Sequence, residues 1–123
     1  MKNDRELFKQ EFKKRLYSFV LHLIKFLDKL PKDVISQVIL KQLIRSGTSI
    51  LANYIEAQAA SSKKDFTNFF HYSLKSANES KVWLAIIRDT NRADTKENAW
   101  LLNELDELSK IFGSSIVTLK EKK

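Results

Sequence analysis

Apolar residues recur at intervals of three and four along most of this sequence, the spacing that places side chains on one face of an α-helix. Four such segments follow one another, separated by short polar stretches. Short connections between long helices force successive helices to run antiparallel. The pattern therefore predicts one all-α domain over residues 1–123, an up-down-up-down antiparallel four-helix bundle.

The first two segments meet at Pro31. The first covers about residues 5–29, since the residue before a proline is pushed out of the α region. Its apolar stripe is Phe8, Phe12, Leu16, Phe19, Leu23, Phe26 and Leu30. The second covers about residues 34–60, with Asp33 as its predicted N-cap. Its apolar positions include Ile35, Val38, Ile39, Leu43, Ile50 and Ile55.

Gly47 lies in the middle of the second segment, within four small residues at positions 46–49. A glycine inside a helix costs about 1 kcal/mol relative to alanine. We expect the backbone of a neighbouring helix to approach closely there, which would offset that cost.

The third and fourth segments cover about residues 64–89 and 96–119. A serine caps the third, and Asp94 or Thr95 caps the fourth. The buried face of the third is predicted to be Phe66, Phe69, Phe70, Ser73, Leu74, Ala77, Leu84 and Ile87. The fourth carries a regular seam of Leu101, Leu105, Leu108, Phe112, Ser115 and Leu119, the spacing of an antiparallel helix contact.

Composition agrees with this assignment and excludes several classes of site. The chain has 2 glycines, 1 proline and no cysteine, so disulfides and thiolate metal sites are absent. No apolar run is long enough to span a membrane, and residues 1–14 lack the apolar core of a signal peptide. We expect a cytoplasmic protein with no membrane contact.

Signals for catalysis or cofactor binding are missing from the sequence. The two histidines, His22 and His71, lack an acidic or histidine neighbour at helical spacing, so a metal site is not expected. A Gly-rich phosphate loop and a nucleophile motif are also absent. We therefore expect a protein without cofactor, metal or enzymatic activity.

Positive charge points towards a polyanionic partner. The formal net charge is +7, and residues 1–62 hold 11 Lys and Arg against 6 Asp and Glu. The candidate phosphate-binding residues are Lys9, Lys13, Lys14 and Arg15 on the first helix and Lys63 and Lys64 at the start of the third, where helix N–H groups favour anions. A basic face that is merely solvated is the alternative interpretation.

Two further groups of residues stand out. Phe69, Trp83 and Trp100 lie near the edges of their apolar stripes, which favours a subunit interface; stacking on nucleic-acid bases is the alternative. Arg45, Asn53, Glu56 and Glu79 follow one rough polar stripe of the second and third helices. We predict that these four form a buried network that sets the helix register.

Several stretches of the second and third helices resemble the four-helix-bundle proteins encoded in intervening sequences of bacterial large-subunit rRNA genes. They lie at residues 30–32, 42–50 (QLIRSGTSI), 53–56 (NYIE), 62–66 (SKKDF) and 76–79. Arg45, Asn53, Glu56 and Glu79 match recurrent polar residues of that family. Leu51 stands where a proline is usual and Ala57 where a glycine is usual, which implies a straighter second helix.

The resemblance implies a ring-like homo-oligomer, commonly a pentamer. A related branch comprises the accessory variability-determinant proteins of retroelements, which cooperate with a reverse transcriptase and nucleic acid. The leading hypothesis is a non-catalytic basic scaffold that homo-oligomerises and binds RNA or DNA through phosphate contacts. The alternative is a structural or protein-interaction adaptor, for example an accessory subunit of a reverse transcriptase, that does not itself bind nucleic acid.

Overall fold

Residues 3–121, the part of the chain that the computed structural model describes, contain four α-helices joined by short connections. They are α1 (Asp4–Asp28), α2 (Val34–Gln58), α3 (Lys63–Asp89) and α4 (Thr95–Glu121). Each helix packs against the next along the chain and α1 also packs against α4, whereas the backbones of the diagonal pairs stay further apart. The predicted up-down-up-down four-helix bundle is therefore confirmed.

Side-chain caps begin all four helices. Asn3 accepts a hydrogen bond from the backbone N–H of Glu6, at 2.9 Å. The N-caps of the later helices are Asp33, Ser62 and Asp94. The N–H and hydroxyl groups of Ser36 both donate to Asp33 and lower the pKa of its carboxyl. Each cap satisfies an N–H group that has no partner inside its helix.

The core lies along the bundle axis, and the stripe of α1 supplies the largest share of it. Phe12, Leu16, Phe19, Leu23, Phe26 and Leu30 are all buried, as predicted. Phe8 belongs to the same predicted stripe, but its side chain is 57% exposed. It stacks on Phe12 near the start of α1, and no other side chain among residues 3–121 buries it.

The buried face of α2 differs from the prediction at three positions. Ile35, Val38 and Ile55 are exposed, while Ile39, Leu43 and Ile50 are buried. The remaining buried positions of this helix include Ser36, Ser46, Gly47, Tyr54 and Ala57. Small side chains face the neighbouring helices because α2 packs closely against them, and the larger apolar residues of the adjacent faces remain outside.

Buried serines join α2 to α3. The hydroxyls of Ser46 and Ser80 lie 2.8 Å apart, and the Ser73 hydroxyl donates to the carbonyl oxygen of Ile50 at 2.9 Å. These contacts satisfy the buried hydroxyl groups and set the register of the two helices. The same register places Val38 of α2 about level with Ile86 of α3.

Gly47 makes its close contact with α1. A Cβ atom at this position would overlap the Cδ2 atom of Leu23. The expected close neighbour is therefore a buried side chain, not helix backbone. Gly113 of α4 has open space where its Cβ would stand.

The end of α4 also departs from the predicted seam. Leu101, Leu105, Leu108 and Phe112 are buried, but Ile116 follows them instead of Ser115 and Leu119, which are half-buried. The change arises because a straight helix with 3.6 residues per turn drifts away from a strict 3.5-residue repeat.

Between residues 3 and 121, no helix combines the length and the apolar character that a membrane span requires.

Candidate nucleic-acid interface

One end of the bundle gathers most of the predicted phosphate-binding residues. The start of α1, the end of α2, the start of α3 and the end of α4 meet there, because successive helices run antiparallel. The Tyr54 hydroxyl donates to the carbonyl oxygen of Lys9 at 3.3 Å and joins α2 to α1 at this level. We call this region the α1 N-terminal end.

Lys9, Lys13 and Lys14 lie along the exposed side of α1, next to α2. In residues 3–121, Lys9 and Lys13 have no carboxylate within ion-pair distance. Lys14 lies 3.8 Å from Glu11, and both side chains are well exposed. An exposed pair at that distance is weak, so all three ammonium groups remain accessible to an anion.

Arg15 has a different environment from its lysine neighbours. Its guanidinium donates to both carboxylate oxygens of Glu104 on α4, at 2.8 Å each, and lies 3.5 Å from Glu107. The hydrogen bonds that Arg15 donates to Glu104 are the main cause of its raised pKa, against the opposing effect of burial. Arg15 therefore ties α1 to α4.

Lys63 and Lys64 occupy the first turn of α3, directly after the Ser62 cap, and both are exposed. The N–H of Asp65 is bound by the Ser62 hydroxyl, and the carboxylate of Asp65 adds negative charge beside the two lysines. Lys64 makes no ion pair with any residue from 3 to 121. These lysines lie at the same end of the bundle as Lys9.

The predicted polar network is neither buried nor continuous. Arg45 pairs with Glu79 across α2 and α3 at 3.1 Å, but the Arg45 side chain is 65% exposed. Asn53 donates to the backbone oxygen of Ser49, and Glu56 points to solvent. The stripe that holds these residues lies beside the small-residue stripe that α2 buries, so water reaches it.

The three aromatic residues predicted at an interface belong to two different surfaces. Phe69 and Trp83 are half-buried on α3, where the Trp83 indole N–H donates to Glu79 at 3.0 Å. Trp100 of α4 stacks on the His22 ring of α1, with ring centroids 4.4 Å apart. The structure therefore does not bring Trp100 together with the other two.

Sequence reasoning missed an exposed apolar face on α2 and α3. We define the α2–α3 apolar face by Ile35 and Val38 of α2 and Val82 and Ile86 of α3, all exposed. The signal that could have found it was the second apolar stripe on α2, beside the one containing Ser36, Ser46 and Gly47.

A cavity of about 480 Å³ at the α1 N-terminal end was also missed. We call it the end cavity; its lining includes Arg5, Phe8, Lys9, Tyr54 and Phe66. The sequence signal for this cavity was the aromatic pairs at i,i+4 spacing near two helix starts, Phe8 with Phe12 and Phe66 with Phe70.

The described residues contain no cluster of three or more His, Cys, Asp or Glu side chains able to hold a metal ion.

Comparison with known proteins gives a family and a similar solved structure. The family model described as 23S rRNA-intervening sequence protein matches residues 9–114. A crystal structure of a protein with unknown function from the S23 ribosomal protein family of Bacteroides thetaiotaomicron VPI-5482 is similar, with 33% sequence identity and a TM-score of 0.79. The match covers 85% of this chain and 96% of that chain.

No curated protein matches the chain. The family match spans most of the sequence and includes the helices that carry the residues of the resemblance. The chain therefore belongs to the 23S rRNA-intervening sequence protein family.

Proposed function

We propose that this protein is a non-catalytic basic scaffold of the cytoplasm that homo-oligomerises and binds RNA or DNA through phosphate contacts. One observation carries the nucleic-acid part: Lys9, Lys13 and Lys64 lie in the same half of the bundle, exposed and without a carboxylate partner among residues 3–121. These ammonium groups have no ion pair within the described chain to break before they bind phosphate, so their full charge is available.

The net charge of +7 supports the same proposal, because long-range attraction brings a polyanion to a basic surface. Arg15 is not needed for this role, since two carboxylates already occupy its guanidinium. The binding surface consists of Lys9, Lys13, Lys14, Lys63 and Lys64.

The test compares two double charge reversals in the purified protein. Lys9→Glu with Lys13→Glu removes the α1 lysines; the control, Lys75→Glu with Lys110→Glu, makes the same charge change at exposed lysines of α3 and α4. Binding of labelled RNA and DNA is titrated at several salt concentrations. Each lost phosphate contact should lower the magnitude of the log–log salt slope by about 0.9 for duplex DNA and about 0.7 for single strands.

We expect the α1 variant to lose affinity and slope, and the control variant to lose much less. Equal losses in both variants would mean that only the total charge matters, and the assignment to α1 would be wrong. Absence of binding by the wild type would leave the protein-interaction adaptor as the function.

A further inference from the structure

The end cavity is lined by residues of all four helices, including the diagonal helices α1 and α3. α1 and α3 stand on opposite corners of the bundle, and their backbones do not come into contact. Phe8 and Phe12 of α1 are stacked, with centroids 5.9 Å apart and planes 9° apart, and Phe66 and Phe70 of α3 are stacked at 4.6 Å and 29°. Two stacked aromatic pairs therefore stand on opposite sides of one cavity.

The closed side of the cavity is rigidly packed. Phe12 meets Tyr54 edge-on at 5.2 Å, and both Phe12 and Phe70 meet Phe112 at 5.3 Å. Edge-to-face contacts of this kind hold rings in defined orientations. Phe8, in contrast, lies at the open side and is more than half exposed.

The polar groups around the cavity are cationic or neutral. Arg5 and Lys9 contribute to its lining, and no acidic residue among positions 3–121 lines it. Neither cation forms an ion pair within the described chain. Gln58, Ser114 and Thr118 also line the cavity, and their side chains make no hydrogen bond with another residue between 3 and 121. Arg5 and Lys9 therefore place positive charge, without an ion-pair partner among the described residues, beside an aromatic cavity.

We propose that the end cavity binds one nucleotide unit, with its base between the aromatic side chains of α1 and α3 and its phosphate at Arg5 and Lys9. A volume of about 480 Å³ falls in the range of small-molecule sites, which combine apolar walls with a few placed polar groups. The amide and hydroxyl groups match the hydrogen-bonding edge of a base, which an alkyl chain lacks.

The same chemistry can arrive as a free mononucleotide or as an unpaired nucleotide of a strand. A paired base inside a duplex cannot enter, because its faces are covered by its neighbours in the stack. For a strand, the inference rests on the proposed nucleic-acid binding; for a free mononucleotide it does not.

The test uses two aromatic substitutions on α1. Phe8→Ala removes a ring of the cavity, and Tyr17→Ala removes a ring of the same helix outside it; both side chains are 57% exposed in the wild type. Both variants should therefore fold. The probes are AMP, adenosine, inorganic phosphate, a single-stranded RNA and the matching duplex. Binding is measured by calorimetry and by NMR shifts of cavity residues.

We expect AMP to bind more tightly than adenosine or phosphate alone, with shifts at Phe8, Phe66 and Thr118. Loss of base stacking on Phe8 should weaken AMP or single-strand binding about five- to hundredfold, while Tyr17→Ala should change neither. If Phe8→Ala weakens single-strand binding alone, the ligand is an unpaired nucleotide of a strand. If it weakens AMP binding, the ligand is a free mononucleotide.

Two results would overturn the inference. One is the absence of saturable AMP binding together with single-strand affinity that Phe8→Ala leaves unchanged. The other is equal weakening by Phe8→Ala and Tyr17→Ala. If the first result is accompanied by strong duplex and single-strand binding that depends on Lys13, the nucleotide site is rejected and the proposed phosphate binding stays intact. AMP binding without any strand binding would support the nucleotide site and reject the proposed phosphate binding of RNA or DNA.

Discussion

Charged residues of α1 that look alike in the sequence have different partners in the structure. Lys13 and Arg15 are two positions apart, yet Lys13 is exposed and unpaired among residues 3–121, while Arg15 binds Glu104 on α4. The difference follows from the helical direction of each side chain: Arg15 points towards α4 and Lys13 towards solvent. Arg15 is therefore expected to act on stability and Lys13 on phosphate binding.

A double-mutant cycle tests the role of Arg15. Arg15→Gln, Glu104→Gln and the double variant should show a coupling of about 1–2 kcal/mol in urea unfolding, since the pair makes two charged hydrogen bonds in a partly solvent-screened site. The exposed Lys14–Glu11 pair is the control and should couple by a few tenths of a kcal/mol at most. Equal coupling in both pairs would show that Arg15 does not tie the helices together.

At the scale of the helix, α2 shows how small residues decide which face is buried. Ser46 faces Ser80 of α3, and Gly47 faces Leu23 of α1. Both positions are buried, although neither is strongly apolar. The helices approach closely at this stripe, so a larger side chain would not fit.

Gly47→Ala and Gly113→Ala should change stability in opposite directions. Alanine gains about 1 kcal/mol of helix propensity at either position, but at Gly47 its Cβ would overlap buried Leu23, and such overpacking costs about 1–3 kcal/mol. We expect Gly47→Ala to lose about 1 kcal/mol in urea unfolding and Gly113→Ala to gain up to about 1 kcal/mol. A gain at both positions would mean that Leu23 moves aside freely.

At the scale of the whole molecule, apolar surface remains where no helix of the same chain covers it. Val38 of α2 and Ile86 of α3 lie about level on the α2–α3 apolar face, beside half-buried Trp83. An exposed face formed by two helices is a natural contact surface for a second copy. It supports the proposed homo-oligomer, and a pentamer is the assembly that we propose.

Charge placed on this face should dissociate the proposed oligomer. Val38→Glu with Ile86→Glu would bury unpaired carboxylates at the contact, which is strongly unfavourable. Light scattering should then give the monomer mass of 14.3 kDa. Val117→Glu is the control, because Val117 of α4 is as exposed as Val38, at 56%. A wild type that is already monomeric at micromolar concentration would contradict the proposal.

The sequence by itself determined the helices and the bundle. Periodic apolar residues and capping side chains act locally, so the four segments, the cap at Asp33, a serine cap on α3 and the buried stripe from Phe12 to Leu30 could all be predicted. The family could also be identified, because its matching residues lie in continuous stretches of α2 and α3.

Tertiary structure decided which of two adjacent stripes on α2 is buried, where Arg15 binds, and whether the four polar residues meet. It also decided that Phe8 borders a cavity at the bundle end instead of the core. These features depend on distances between helices and on which residues lie level across them. Spacing within one helix carries no information on either, so only the packed bundle reveals the end cavity and the α2–α3 apolar face.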